Sequence, residues 1–200
     1  DLVHRPTLVR AMKSKSIGLG GDSAVSIKNQ QLCIGPKRLG PSLASGGAVP
    51  TLVDALNLVQ DVRHGDLEAS RQGIRELGSR LGLSAEECAR QIIDAVCKEL
   101  KEQAVSMLAR INAKPVYTVH ELLEYREIKP KIVYLMGGPA RMLAPILETK
   151  LNLPVSVPDH YQVANALGAA LAKPTMEAEL FADTEKHVLR IPVLGVNQEI

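Results

Sequence analysis

A strand-like apolar run that ends in two glycines is the feature that most constrains the fold of this chain. Residues 131–136 read Lys-Ile-Val-Tyr-Leu-Met, and Gly137-Gly138 follow directly. A helix-forming stretch and a second short β-like run, residues 153–157, come next. Glycines lack a Cβ, so the backbone can approach a ligand closely, and the first N–H groups of a helix face an anion or a ribose. The segment therefore predicts a strand–turn–helix unit suited to a nucleotide.

The residues after the glycine pair fit the start of a helix. Pro139 stands where a first-turn proline is tolerated, so a helix N-terminus is expected at the glycines, with Ala140 in its first turn. The alternative is purely structural, because a strand-to-helix turn also needs glycine for its dihedral angles. Both interpretations stay open for Gly137, Gly138, Pro139 and Ala140.

A second helix is expected after the second β-like run. Pro158-Asp159 would open it, and it contains Asn165 in the sequence Asn-Ala-Leu-Gly-Ala-Ala. Asn165 is either a polar contact to a ligand or a structural residue in a tightly packed helix.

A further glycine cluster lies near the start of the chain, within residues 16–27. It predicts a strand, a glycine turn and a second strand. It is not a dinucleotide-binding fingerprint, since no third glycine opens a helix, and it is not a Walker loop, since no Gly-Lys-Ser/Thr follows. The cluster is either a hairpin turn or a phosphate-side turn that contains Gly20, Gly21, Asp22 and Ser23. In the second case Gly20 and Gly21 would offer N–H groups, and Asp22 would influence a metal-bound phosphate through water.

The first half of the chain carries clear turn and helix signals. A polar turn at residues 28–30 predicts a hairpin with a strand at residues 31–34, and residues 35–50 are expected to form an ordered surface loop. Thr51 with Asp54 resembles a capping box, and so does Ser84 with Glu87.

Three helices are expected from these signals. Asp66 should cap one that runs to about Leu81. The helix after Ser84 has an apolar stripe formed by Cys88, Ile92, Val96, Leu100, Ala104, Leu108 and Ile111. The remaining expectations are an extended segment at residues 1–15, a short helix at 118–126 and a β-rich stretch at 178–195.

Composition narrows the classes of function. The chain has 200 residues and a formal charge of +2, with no basic run or aromatic ladder that would suggest nucleic acid. No stretch approaches 18 uninterrupted apolar residues, so no membrane span is predicted. The three cysteines are odd in number and lack a Cys-x-x-Cys pair, which argues against a disulfide framework or a zinc site. A cytoplasmic location is the expected default.

No conventional catalytic or metal motif is present. The five histidines are scattered, without a His-Glu-x-x-His pattern, and there is no Gly-x-Ser-x-Gly. Neither Ser23 nor Ser45 has a histidine partner nearby in sequence. The sequence therefore predicts no metal ligands and leaves the catalytic residues unidentified.

Several segments together resemble the hydantoinase A/oxoprolinase family of the actin-like ATPase superfamily. Residues 16–23 are similar to its Ile-Gly-x-Gly-Gly-Gly/Asp-Ser segment, and residues 34–41 to its Val-Gly-Pro loop. Residues 46–59, which contain Pro-Thr-Leu-Val-Asp-Ala, resemble a family-specific Pro-Thr-x-x-Asp-Ala segment. Residues 135–140 look like the adenosine motif, and residues 164–172 like the second connecting helix.

The resemblance implies an α/β fold, namely the C-terminal lobe of an actin-like ATPase with a ribonuclease H-like mixed sheet and packed helices. It implies one lobe over residues 1–200, as a fragment of a longer chain, with a helical insert at about 51–127. The implied nucleotide contacts are Gly20, Gly21, Asp22, Ser23, Gly137, Gly138, Pro139, Ala140 and Asn165.

The implied activity is ATP-dependent hydrolysis of a cyclic amide such as 5-oxoproline or a hydantoin. ATP and Mg²⁺ would act in the full-length protein, where ATP phosphorylates the amide oxygen and makes the carbonyl easier for water to attack. A hydantoinase B-type subunit is an implied partner, and a homo-oligomer is compatible with the family. The isolated chain is expected to be inactive.

Two departures from the family pattern bear on this activity. The Asp-x-Gly-Gly-Thr phosphate motifs are absent, because in the family they lie upstream of the part covered here. The cysteine-containing Cys-Tyr-Gly stretch of many members is replaced by Leu43-Ala44-Ser45. Two other functions remain as alternatives: an actin-like ATPase that reactivates or chaperones a partner enzyme, and a sugar-kinase-like phosphotransferase.

Overall fold

The chain divides into two compact units, Asp1–Gln162 and Val163–Ile200. The computed structural model describes residues 14–60, 64–113, 127–172 and 178–199. The expected short helix at 118–126 and nearly all of the extended segment at 1–15 lie outside these ranges. The expectation of a single lobe over residues 1–200 stays a prediction.

The first unit begins with a β-hairpin. Strands β1 (Ser23–Lys28) and β2 (Gln31–Arg38) pair antiparallel, with Val25 opposite Ile34 and Ile27 opposite Leu32. The turn residues Asn29 and Gln30 both have positive φ, which suits the tight hairpin turns whose twist matches that of the strands. The hairpin is as predicted, although β2 continues to residue 38, into the segment expected to be a loop.

The expected strand before the glycine cluster does not form. Residues 14–22 are irregular, and the chain enters β1 directly from the glycine turn. Gly18 packs against Pro36 so closely that an added Cβ would overlap the proline ring. Because proline has no N–H, this part of β2 offers no donor for a further strand.

Three helices follow in the first unit: α1 (Leu52–Val59), α2 (Leu67–Ser79) and α3 (Ala85–Asn112). Both predicted capping boxes are present, Thr51–Asp54 before α1 and Ser84–Glu87 before α3. Asp66 caps α2 by accepting hydrogen bonds from the N–H groups of Glu68 and Ala69. The expectation that residues of about 51–127 form one helical insert stays a prediction.

Helix α3 is the centre of the core, and it is packed on two sides. The predicted stripe is buried at Cys88, Ile92 and Val96, but Ile93 and Cys97 on other faces are buried as well. Helices α1 and α2, strand β2 and helix α4 (Ala140–Leu151) all contact α3. The core therefore joins the hairpin, the first three helices and α4 in one cluster.

The two core cysteines behave as small apolar residues. All three cysteines of the chain are free thiols. Burial raises the pKa of the Cys88 thiol, and it raises the pKa of Cys97 to about 11. Both therefore stay protonated at neutral pH, which makes them poor nucleophiles and poor metal ligands.

The strand–helix–strand unit predicted around Gly137-Gly138 is present. Strand β3 (Val133–Tyr134) and strand β4 (Val155–Ser156) pair parallel, and α4 connects them. Both strands are shorter than the β-like runs in the sequence. The next helix begins at Ala164 rather than at Pro158-Asp159, because His160 has a φ of 58° and such a left-handed residue interrupts a right-handed helix.

In its described residues the second unit contains one α-helix, a 3-10 helix at Pro192–Leu194 and one small sheet. Helix α5 (Ala164–Leu171) precedes strands β5 (Phe181–Asp183), β6 (Val188–Ile191) and β7 (Val196–Glu199). The three strands pair antiparallel in chain order. The α/β class is confirmed, but the described strands form three small sheets and not a single mixed sheet.

Candidate functional site

The glycine turn before β1 is closed by the hydroxyl of Ser23. The N–H of Gly20 donates to Ser23 Oγ over 2.8 Å, and the N–H of Ser23 donates to the carbonyl of Gly20 over 3.0 Å. Ser23 Oγ in turn donates to the carbonyl of Gly18 over 3.4 Å. Ser23 is buried, and the Gly20 N–H expected to face a phosphate is engaged by Ser23 in this structure.

Gly21 brings the two predicted glycine motifs together. The N–H of Val53, at the start of α1, donates to the carbonyl of Gly21 over 3.1 Å. A Cβ added to Gly21 would lie 3.1 Å from Val53 Cγ2 and 3.3 Å from Cδ and Cγ of Pro139. Such distances are tighter than ordinary van der Waals contact, so a side chain at position 21 would push these segments apart. The turn before β1 and the turn after β3 therefore form one surface.

The turn after β3 is open on its outer side. Gly137 has a φ of 110°, which favours glycine, and its carbonyl accepts a hydrogen bond from the N–H of Ala140 over 3.1 Å. Pro139 is the N-cap residue of α4, so the helix begins at Ala140 and not at the glycines. An added Cβ on Gly20, Gly137 or Gly138 would meet no atom within 4 Å.

Tyr161 and Arg141 flank this turn, and neither was identified from the sequence. The carbonyl of Tyr161 accepts a hydrogen bond from the N–H of Gly137 over 2.8 Å. The guanidinium carbon of Arg141 lies 5.0 Å from the centroid of the Tyr161 ring, a cation–π arrangement. A tyrosine far along the chain and an arginine one residue into α4 carry no motif, so only the folded chain reveals them.

Asp22 has an ion-pair partner that the sequence did not indicate. Its Oδ2 lies 2.6 Å from Nη2 of Arg38, at the end of β2. The sequence left open whether Asp22 belongs to a plain hairpin turn or to a phosphate-side turn in which it influences a metal-bound phosphate through water. In this structure its charge is matched by a guanidinium.

Asp54 is a buried carboxylate that holds the start of α1. It is fully buried and accepts five hydrogen bonds, from the N–H groups of Leu43, Ala44 and Thr51 and the hydroxyls of Thr51 and Ser70. The distances run from 2.7 Å for Ser70 Oγ to 3.1 Å for Leu43 N. Since Val53 lies in the same helical turn and bonds to Gly21, Asp54 supports the glycine turn indirectly.

Ser45 has a histidine neighbour in space, although it has none nearby in sequence. Ser45 Oγ lies 3.3 Å from Nε2 of His64, and Ser42 Oγ donates to Ser45 Oγ over 3.1 Å. Asn57 holds the main chain of His64 through hydrogen bonds to its N–H and its carbonyl. Ser45 and His64 are both exposed.

The structure brings eight of the nine predicted site residues into the first unit, where the turns at Gly21 and Pro139 touch. The ninth, Asn165, is the second residue of α5 in the second unit. No side chain of the described ranges joins a group of three or more His, Cys, Asp or Glu residues able to hold a metal ion. In the same ranges, no helix is both long and apolar enough to cross a membrane.

The chain is similar to one family of proteins and to several solved structures. The model of the hydantoinase/oxoprolinase family matches residues 2–178. The nucleotide-free structure of acetone carboxylase, described with the mechanism of ATP-dependent acetone carboxylation, is similar with a TM-score of 0.62 and 19% identity. The similarity covers 86% of this chain and 26% of the acetone carboxylase chain, so this chain spans about a quarter of that length. No curated protein is significantly similar in sequence.

Proposed function

Because the chain belongs to the hydantoinase/oxoprolinase family, we propose that it forms part of an ATP-dependent enzyme and supplies the adenosine side of its nucleotide cleft. The observation that carries this proposal is the contact between Gly21 and Pro139. It joins two glycine turns, each suited to close backbone approach, into one surface. The likeness in fold to an acetone carboxylase is consistent with ATP dependence.

The surface has room for a nucleotide at the positions the proposal needs. Gly138 is exposed and Gly137 is half-buried, and the space beside both is empty of other protein atoms. Side chains at these positions would occupy that space. Helix α4 begins two residues after Gly138, so its first N–H groups lie beside the same turn. Gly20, Gly21, Asp22 and Ser23 would lie on the phosphate side, and Pro139 and Ala140 on the adenosine side. A nucleotide contact by Asn165 stays a prediction.

The proposed reaction of the whole enzyme is hydrolysis of a cyclic amide such as 5-oxoproline or a hydantoin. ATP would transfer its γ-phosphoryl group to the amide oxygen and leave as ADP, with Mg²⁺ supplying charge neutralisation to the phosphates. Water would then add to the activated carbon, the ring C–N bond would break with the nitrogen taking up a proton, and inorganic phosphate would be released. Mg²⁺-binding carboxylates and catalytic residues would come from sequence outside this chain. A hydantoinase B-type subunit is the proposed partner. The acetone carboxylase acts on a different substrate, so its likeness in fold does not support the cyclic amide. The choice of a cyclic amide rests on the family alone.

Titration of the ¹⁵N-labelled chain with adenosine and with ATP tests the location of the site. We expect the amide resonances of Gly20, Gly137 and Gly138 to shift progressively with either ligand. Gly82, in the turn between α2 and α3, is the internal control, because its surroundings are equally open. Shifts confined to other parts of the chain, or no saturable shift up to millimolar ligand, would contradict the proposed nucleotide site.

A further inference from the structure

The ion pair between Asp22 and Arg38 lies beside the glycine turn and is only partly shielded from water. The side chain of Arg38 is 73% exposed and that of Asp22 is 31% exposed. An exposed ion pair of this kind contributes little to stability, because water and salt screen the charges. A contribution to stability therefore does little to explain why residue 38 is an arginine.

The backbone of Arg38 is nevertheless held firmly against the turn. Arg38 is opposite Ser23 in the β1–β2 register, next to an irregularity between Ser23 and Val25. Upstream on the same strand, Gly35 and Pro36 press on Gly18 so tightly that no Cβ fits between them. The end of β2 is thus fixed to the glycine turn, while the guanidinium at the tip of the side chain stays exposed.

The guanidinium of Arg38 can exchange the carboxylate of Asp22 for a phosphate. A guanidinium has five N–H donors in a planar fork, and the single contact of 2.6 Å to Asp22 engages one of its terminal nitrogens. The same fork matches the oxygens of a phosphate, with which it forms bidentate, charge-assisted hydrogen bonds. The phosphate chain of ADP or ATP carries more negative charge than one carboxylate, so it competes effectively for the guanidinium.

We infer that Arg38 binds the phosphates of the nucleotide, and that Asp22 holds the guanidinium at the turn until the nucleotide displaces it. This inference rests on the proposed function, since it needs a nucleotide on the surface formed by the two glycine turns. Asp22 then competes with the nucleotide phosphates for the guanidinium of Arg38, which it binds when no nucleotide is present. This role replaces the expected contact to metal-bound water.

The test compares the affinities of adenosine, ADP and ATP for variants of the chain, measured without magnesium at low ionic strength. Arg38→Ala should weaken ADP and ATP binding roughly tenfold, the value of one charge-assisted hydrogen-bonded contact, and leave adenosine binding unchanged. Arg38→Lys should retain part of the affinity. Lys37→Ala is the matched control, because it removes a positive charge from the residue next to Arg38 on the same strand.

Asp22→Asn tests the competing role of the carboxylate. It should tighten ADP and ATP binding several-fold without altering adenosine binding, since the guanidinium no longer needs to leave a charged partner. The ATP titrations of Asp22→Asn are then repeated with magnesium. If the substitution weakens ATP binding only in that repeat, Asp22 acts through the metal and its assigned role is wrong.

The outcomes separate this inference from the proposed function. Adenosine binding that persists in all variants, together with ATP affinity that does not respond to Arg38→Ala, overturns the inference and leaves the adenosine site standing. Equal losses for adenosine and ATP in Arg38→Ala also overturn it, because they indicate damage to the turn. If the unaltered chain binds neither adenosine nor ATP, the proposed function fails and the inference fails with it.

Discussion

Replacing Asp54 by alanine is expected to lower the free energy of unfolding by about 3–5 kcal/mol. The carboxylate is fully buried and accepts five hydrogen bonds. Alanine would leave the N–H groups of Leu43, Ala44 and Thr51 without this acceptor, and each buried unsatisfied donor costs about 1–3 kcal/mol. Urea unfolding followed by circular dichroism measures the change as a lower transition midpoint.

The matched control is Asp66→Ala. Asp66 also accepts two backbone N–H hydrogen bonds, at 2.9 and 3.0 Å, but it is an exposed helix cap. Water can replace it, so the expected loss is about 1 kcal/mol. Two results would contradict the account of Asp54 as a buried acceptor of five hydrogen bonds. One is an equal decrease in the free energy of unfolding for the two alanine variants, and the other is a decrease below about 1 kcal/mol for Asp54→Ala.

The 200-residue chain alone is expected to show no ATP hydrolysis and no turnover of cyclic amides. Positioning and charge stabilisation of the transferred phosphoryl group supply most of the catalysis in phosphoryl transfer. The Asp-x-Gly-Gly-Thr segments that would position phosphate and metal are not in this sequence, and no three-residue metal-binding group occurs among its described residues. The assay measures phosphate release from ATP with 5-oxoproline or hydantoins, beside the full-length protein that we propose contains this chain.

Two results of this assay would count against the account. Turnover by the isolated chain at a rate comparable to the full-length protein would show that the chemistry lies within residues 1–200. Full-length protein that hydrolyses ATP without any dependence on a cyclic amide would argue against the proposed substrate, while leaving the nucleotide site intact.

Local features of the fold were predictable because they depend on neighbours in sequence. The capping boxes at Thr51 and Ser84 and the positive-φ turn at Asn29 each involve residues within a few positions of one another. The long helix α3 was predictable from its apolar stripe. That stripe did not reveal Cys97, which is buried because α3 is packed on two sides.

Features that depend on distant residues were not predictable from local pattern. The sequence identified Asp54 only as a member of a capping box. Its further hydrogen bonds come from Leu43, Ala44 and Ser70, which only the fold brings near it. Arg38 carries no motif, and the register of the hairpin places it beside Asp22. The nearness of the two glycine turns was expected from resemblance to a family, and no periodicity or spacing in this chain implies it.

The failed expectations have physical causes of the same kind. The strand expected before β1 does not form, because Gly18 is packed against a proline that cannot donate a hydrogen bond. The last helix of the nucleotide-like segment starts later than expected, because His160 adopts a left-handed conformation. In the first case a missing N–H donor prevents a strand that the local composition favours. In the second case the backbone conformation of one residue delays a helix that the local composition favours.

The central claim is that the backbone at Gly138 lies against a nucleotide, and the affinity of Gly138→Val for adenosine and ATP tests it most directly. A Cβ atom added at Gly138 meets no protein atom within 4 Å, so the fold and the urea midpoint should be unchanged. Binding of both ligands should weaken by about tenfold or more, the equivalent of about 1.4 kcal/mol, with a smaller loss for Gly138→Ala. A folded Gly138→Val variant that binds adenosine and ATP as tightly as the unaltered chain would contradict the account.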